Sequence, residues 1–167
     1  MKSFLEFLQE GVEQHKGGTY CAALLDEKSS QNLYNWCKLQ GIEGLTDPKE
    51  YHVTLVYSRK PCAEIKDYPF YTPWNSDYHE GRSWQIFDSK KGTKCLVLKL
   101  KDMIFHDVHN EIREVYGATH DYDEYSPHIT VSYDFKSDIK RLKSVPEFEL
   151  TFDKIEVKPL DVDYMPK

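Results

Sequence analysis

The chain has 167 residues, 40% of them hydrophobic and 30% charged, so it can bury one domain's core and is too apolar to stay disordered. Its net charge of −6 argues against gripping long nucleic acid through the phosphate backbone, though a small anionic ligand in a local pocket stays possible. Aromatic residues reach 14%, with 12 Tyr and 3 Trp, and aromatic faces are natural platforms for nucleobases.

In chain order, Ser3 caps a first predicted helix with Phe4, Leu5, Leu8 and Val12 on one side, ended by Gly17-Gly18. "TYCAALL", Thr19 to Leu25, reads as a buried strand. Ser29 or Ser30 is the expected cap of the next helix, where Leu33, Trp36, Cys37 and Gln40 share a side and Gly41 is the stop. A loop with Pro48 leads to a strand over Tyr51–Tyr57. The stretch from Arg59 to Gly92 holds three prolines, Pro61, Pro69 and Pro73, and reads as long loops with one short strand near Trp84–Phe87.

Regularity then returns. Thr93–Leu100 is a predicted strand, and Asp102 caps a helix with Ile104, Phe105, Val108, Ile112 and Val115 facing inward, stopped at Gly117. The run "HDYDEYSP" is either a lid whose tyrosines close over a ligand or a solvated loop. A strand follows from His128, then a short helix over Ser137–Lys143. A last strand runs over Phe148–Val157, with Phe148, Leu150 and Phe152 alternating and a phase break before Ile155.

The four cysteines, Cys21, Cys37, Cys62 and Cys95, form no C-x-x-C pair and read as buried reduced thiols. Met1 to Leu8 is too charged for a signal peptide, and no apolar run approaches the ~18 residues a membrane span needs. The expectation is a cytosolic protein with no membrane partner. His106 and His109 have the spacing of helical metal ligands but lack a third ligand, and read as exposed polar residues. His120 precedes the second histidine strand and is a candidate ligand contact. "SRKP" at Arg59–Lys60 and "SKKGTK" around Lys90–Lys94 are local basic clusters, either anion-attracting or plain surface.

One pattern occurs twice. "YHVTLVYS" and "PHITVSYD" each place His-x-Thr in a strand, and His52 lies 11 positions after Gly41 as His128 lies 11 after Gly117. Strand, helix, loop and His-x-Thr strand therefore recur in order, which predicts a pseudo-twofold α+β domain with a sheet in each half facing a shared cleft. Side chains at i and i+2 of a strand share a face. His52 with Thr54, and His128 with Thr130, would then point into the cleft, opposite Val53, Leu55, Ile129 and Val131. Two imidazoles on either side of one phosphate can divide base and acid, and two hydroxyls can hold its oxygens. The scheme requires no metal or other cofactor.

"HVTL" and "HITV" both fit His-φ-[Ser/Thr]-φ, the motif of the two-histidine (2H) phosphoesterase superfamily, and the chain resembles that superfamily. "FLEFLQE" followed by "GTYCAALL", then "YHVTLVYSRK", "KCLVLKL", "GATHDYDEYSPHITVSYD" and "IEVKPL", more narrowly resemble the phage anti-CBASS phosphodiesterase family, over nearly all of the chain except Pro61 to Gly81. CBASS is the bacterial cyclic-oligonucleotide antiphage signalling system. The resemblance implies one bilobal domain over residues 1–167, two antiparallel sheets facing a central cleft and helices packed outside. It implies metal-independent hydrolysis of 3′–5′ bonds in cyclic di- and trinucleotides in the cytoplasm of an infected bacterium, with no obligate protein partner. His52 and His128 become the acid/base pair, and Thr54 and Thr130 bind phosphate. Tyr20 lies near the substrate, Trp84 stacks a base and Glu156 reads a base edge. Read as residues alone, these last three are equally a half-buried strand tyrosine, a loop-pinning tryptophan and a solvated glutamate. Processing of RNA 2′,3′-cyclic phosphate or 2′–5′ ends, and sequestration of nucleotide without cleavage, are the competing functions.

Overall fold

The computed structural model describes residues 17–89, 91–121 and 124–160; the helix predicted from Ser3 lies outside them. Nine principal elements follow one another: β1 (Thr19–Leu25), α1 (Glu27–Leu39), β2 (His52–Ser58), β3 (Trp74–Ser76), β4 (Ser83–Asp88), β5 (Lys94–Lys99), α2 (Met103–Tyr116), β6 (His128–Ser132) and β7 (Leu150–Pro159). They build two antiparallel sheets, ordered β2-β1-β7-β3 and β4-β5-β6. One contiguous apolar core joins both sheets and both helices, with Leu33, Val53, Leu55, Leu96, Leu98, Phe105, Ile112, Ile129 and Phe152 wholly buried. All four cysteines are buried and outside any disulfide, as expected.

The helices depart from expectation at their starts. Asp26, not Ser29 or Ser30, caps α1: its carboxylate accepts from the Ser29 N–H at 2.7 Å. Ser29 is released to accept the Thr151 N–H from β7 (2.8 Å). Asp102 precedes α2 without bonding its first turn; its buried carboxylate accepts instead from Ser76 Oγ and the Tyr78 N–H. Gly117 stops α2 in the left-handed region (φ 65°), where a side chain would be strained. Val115 is 58% exposed rather than inward, because the buried stripe runs Phe105, Val108, His109, Ile112. The same stripe carries His109 into the core at 2% exposure, correcting its reading as a surface residue.

The irregular stretch contains one more strand than predicted. β3 has three residues, too few for any periodicity, and exists because its backbone pairs with Leu150–Phe152 of β7. The phase break before Ile155 is real: the β1–β7 register skips Asp153. The short helix predicted near Ser137 is a 3-10 turn over Ile139–Arg141.

The pseudo-twofold extends beyond what the motifs showed. β2 and β6 are both edge strands of their sheets, and each carries a bulge one residue after its threonine. The β1–β2 register skips Leu55, and the β5–β6 register skips Val131. A bulged carbonyl on an edge strand lacks a ladder partner and needs a donor from elsewhere. Both find it in the opposite half. His109 Nδ1–H of α2 donates to the Leu55 carbonyl (2.6 Å), and the Thr46 N–H from the loop after α1 donates to the Val131 carbonyl (2.9 Å). The loop after α1 also accepts from Ser132 Oγ at the Glu43 carbonyl (2.6 Å).

Gly44 lies in that crossing loop at φ +67°, and a Cβ there would stand 2.6 Å from the Asp134 carbonyl oxygen. Gly44→Ala is therefore expected to lower stability by about 1–3 kcal/mol, read as a lower urea midpoint; an unchanged midpoint would refute the close approach.

Candidate active site

Alternation along β2 and β6 does what the motif requires. His52, Thr54, His128 and Thr130 are half-buried on one face, while Val53, Leu55, Ile129 and Val131 on the other are fully buried. Each histidine is held in the same way. His52 Nδ1–H donates to the Glu50 carbonyl (2.6 Å), and His128 Nδ1–H donates to the Ser126 carbonyl (2.8 Å). A carbonyl can only accept, so both Nδ1 atoms carry the proton and both Nε2 atoms are left for chemistry. A ring edge also meets an aromatic in each half: Tyr20 with His52 (centroids 6.3 Å, 78°) and Phe87 with His128 (4.9 Å, 82°).

The rings are near enough for their charges to interact. Burial holds the His128 pKa below the usual histidine value, and the neighbouring charges of His52 and Lys99 lower it further. Lys99 faces His128 across the β5–β6 ladder, an additional cation that sequence reading passed over.

Register also fixes which other residues share the cleft face of the larger sheet. Counting across β2, β1 and β7, the rows are His52–Leu24–Lys154, Thr54–Ala22–Glu156 and Tyr57–Tyr20–Lys158. The bulge at Leu55 is what brings Tyr57 onto the same face as Thr54. Tyr20 stands beside Thr54, with its hydroxyl 3.1 Å from Thr54 Oγ1, and the Lys158 ammonium sits 5.2 Å above its ring centre. Glu156 is half-exposed and pairs with Lys158 at 3.1 Å. The structure thus gathers His52, Thr54, Tyr20 and Glu156 on one sheet, and His128 and Thr130 on the other.

Trp84 does not join them. It pairs with Leu98 and, beyond it, Ile129, which puts it on the face opposite His128. There it stacks on Trp36 of α1 (5.9 Å, 21°) and donates its indole N–H to the Ser144 carbonyl (2.8 Å). Phe87, three positions on and of opposite parity, is the β4 aromatic that reaches the histidine. Strand parity counted from the Lys99–His128 pair would have separated the two.

Of the "HDYDEYSP" loop, Tyr122 and Asp123 lie outside the described residues. Tyr125 is half-buried, its hydroxyl donating to the Thr54 carbonyl (2.7 Å) while its ring lies flat on His109 (3.9 Å, 3°). His120 accepts the Tyr57 N–H at Nδ1 (3.3 Å) and meets the edge of His109 at 4.7 Å. Among the described residues no three His, Cys, Asp or Glu side chains gather as a metal site, and no helix is long and apolar enough to cross a membrane.

Residues 17–167 match the family described as anti-CBASS protein Acb1. The chain belongs to that family. A family relative from Escherichia phage RB16 is 32% identical over 172 residues, covering 98% of this chain and 90% of the relative. Another, from Vibrio phage KVP40, is 34% identical over 118 residues, covering 70% of this chain and 73% of the relative. Among solved structures, E. coli LigT complexed with 3′-AMP is similar at a TM-score of 0.52 and 10% identity, over 83% of this chain and 84% of LigT. A structure described as a phosphoesterase is similar at 0.51 and also 10% identical, over 83% and 85%. At such identities the likeness is one of fold, and it is the 2H phosphoesterase fold that the duplicated motif predicted.

Three histidines here have their pKa lowered from the usual value. Burial first, then the charges of His109 and Arg113, push the His120 pKa down from 6.5 to about 4; His109 and His128 are also lowered, mainly by burial. The unfolded chain then binds more protons than the folded one between pH 6.5 and about 4, so stability falls as pH drops through that window. A thermal midpoint that declines across this range, with a shallower decline in His120→Gln, is expected; identical slopes in the two proteins would contradict the assignment.

Proposed function

We propose that the chain is a phosphodiesterase that opens 3′–5′ linkages of cyclic di- and trinucleotide messengers in the cytoplasm of an infected bacterium, so that CBASS effectors go unactivated. The observation that carries the reading is the pair of histidines, each locked as its Nδ1–H tautomer by a carbonyl two residues back, with a threonine hydroxyl beside each. Family membership supports the substrate class. The rows of Tyr20, Glu156 and Lys158 add an aromatic face, an acceptor and a cation suited to a nucleobase and a second phosphate.

In this scheme one Nε2 takes the proton from the attacking oxygen, either the ribose 2′-hydroxyl or water, as that oxygen bonds to phosphorus. The bond from phosphorus to the leaving 5′-oxygen breaks, and the other imidazolium gives that oxygen a proton from its Nε2. Thr54 and Thr130 donate to the non-bridging oxygens as charge shifts. His128 suits the base, since burial and neighbouring cations favour its neutral form. His52 then serves as acid. The pair exchanges roles in the return to the resting state. Tyr20, buried and hydrogen-bonded to Thr54, steadies that hydroxyl.

Incubation with 3′,3′-cyclic GMP–AMP in EDTA, followed by chromatography, tests this directly. Linear product is expected. Intact nucleotide released only by heat would make the protein a sponge, and no interaction would turn attention to RNA ends. His52→Ala and His128→Ala are each expected to lower kcat by about 10²–10⁴-fold, and Thr54→Val by about 10²-fold, with the probe still bound. The acidic limb of kcat/KM is expected below the usual histidine value of about 6.5, because the base is His128; a limb above that value would contradict the assignment.

A further inference from the structure

The first His-x-Thr strand is gripped at its bulge by side chains from the other half. Three backbone groups of β2 are engaged. The Thr54 carbonyl accepts from the Tyr125 hydroxyl (2.7 Å), the Leu55 carbonyl from His109 Nδ1–H (2.6 Å), and the Tyr57 N–H donates to His120 Nδ1 (3.3 Å). These three side chains form one packed unit, with Tyr125 flat on His109 and His120 edge-on to both (4.7 and 5.7 Å). All three act on the backbone of β2 around Thr54.

The pseudo-twofold shows how unlike this is to the other half. His109 lies eight positions before Gly117, and its counterpart eight before Gly41 is Leu33, a buried apolar residue. At the second bulge the Val131 carbonyl is met by a backbone amide, that of Thr46. The buried polar group His109 therefore occupies a position where packing alone is satisfied by leucine. A buried imidazole is costly unless hydrogen-bonded, so its presence points to the bond it makes.

We propose that Tyr125 and His109, braced by His120, are positioning residues that fix the β2 bulge from the opposite half, setting the Thr54 hydroxyl and the His52 ring in register with His128 and Thr130. The proposal rests on the phosphodiesterase reading, since it concerns the alignment of that site. Misplacement of a reacting group by about 1 Å can cost ~10²-fold in rate. Their effect passes through the backbone of β2, where their hydrogen bonds end.

Three substitutions test the bonds. Tyr125→Phe keeps the stacked ring and removes only the donor to Thr54. His109→Leu copies the pseudo-equivalent residue, and His109→Asn restores an amide donor near the Nδ1 position. With 3′,3′-cyclic GMP–AMP as probe, Tyr125→Phe and His109→Leu are each expected to lower kcat by about 10–100-fold while KM stays within about twofold. His109→Asn is expected to recover part of that loss. Unchanged kcat in both, or equal loss in His109→Asn and His109→Leu, would overturn the proposal. Should the wild-type protein cleave no probe, the phosphodiesterase reading fails and hydrogen exchange decides the positioning claim separately. Amides of Val53–Tyr57 must then exchange faster in Tyr125→Phe while those of β6 do not, and equal protection in both proteins would refute it.

Discussion

A carbonyl that a β-bulge turns out of its ladder must find a donor outside its own sheet, and this constraint organises the molecule. Leu55 and Val131 each follow a His-x-Thr, and each is skipped in its strand pairing. Each is then satisfied by the half to which it does not belong, through His109 in one case and Thr46 in the other. The two His-x-Thr strands are edge strands, which would otherwise present open backbone to solvent or to another chain. Crossing contacts close those edges and, by the same bonds, tie the sheets together along β2 and β6. The cleft is thus a consequence of how the edges are covered.

The chemistry of the cleft follows from a second repeated contact. Each imidazole gives Nδ1–H to a carbonyl two residues upstream, so its tautomer and ring plane are set by its own strand. What differs between the halves is the surroundings. His128 has Lys99 across the ladder and Phe87 against its ring, whereas His52 has Leu24 in the corresponding place on β1 and Tyr20 nearby. Burial and neighbouring positive charge bias His128 toward its neutral form. Near-symmetric scaffolds with unequal environments are how two like residues come to hold opposite proton-transfer roles.

Much of this was legible in local pattern. The period-2 placement of His and Thr, the glycines at 41 and 117, and the apolar strand runs foretold the duplicated α+β layout and the shared face of His and Thr on each motif strand. Non-local pairing was not legible. β3 depends on β7 for its existence, the bulges depend on register against β1 and β5, and Asp102 leaves its helix for Ser76 and Tyr78. Trp84 was misplaced because an aromatic in an irregular stretch carries no sign of which face it occupies until its strand is paired. His109 was misread because a metal-ligand spacing hid its place on the buried stripe, where the Leu55 carbonyl awaits it.

The central claim is that both Nε2 atoms address one phosphate. Histidine side-chain ¹⁵N NMR during titration with a non-hydrolysable phosphorothioate cyclic dinucleotide tests it most directly. In the free protein both rings should keep their Nδ1–H, with His128 as the neutral Nδ1–H tautomer, and both Nε2 resonances should move together along a single binding curve. A response from one ring alone, or an Nε2–H tautomer at either position, would contradict the account.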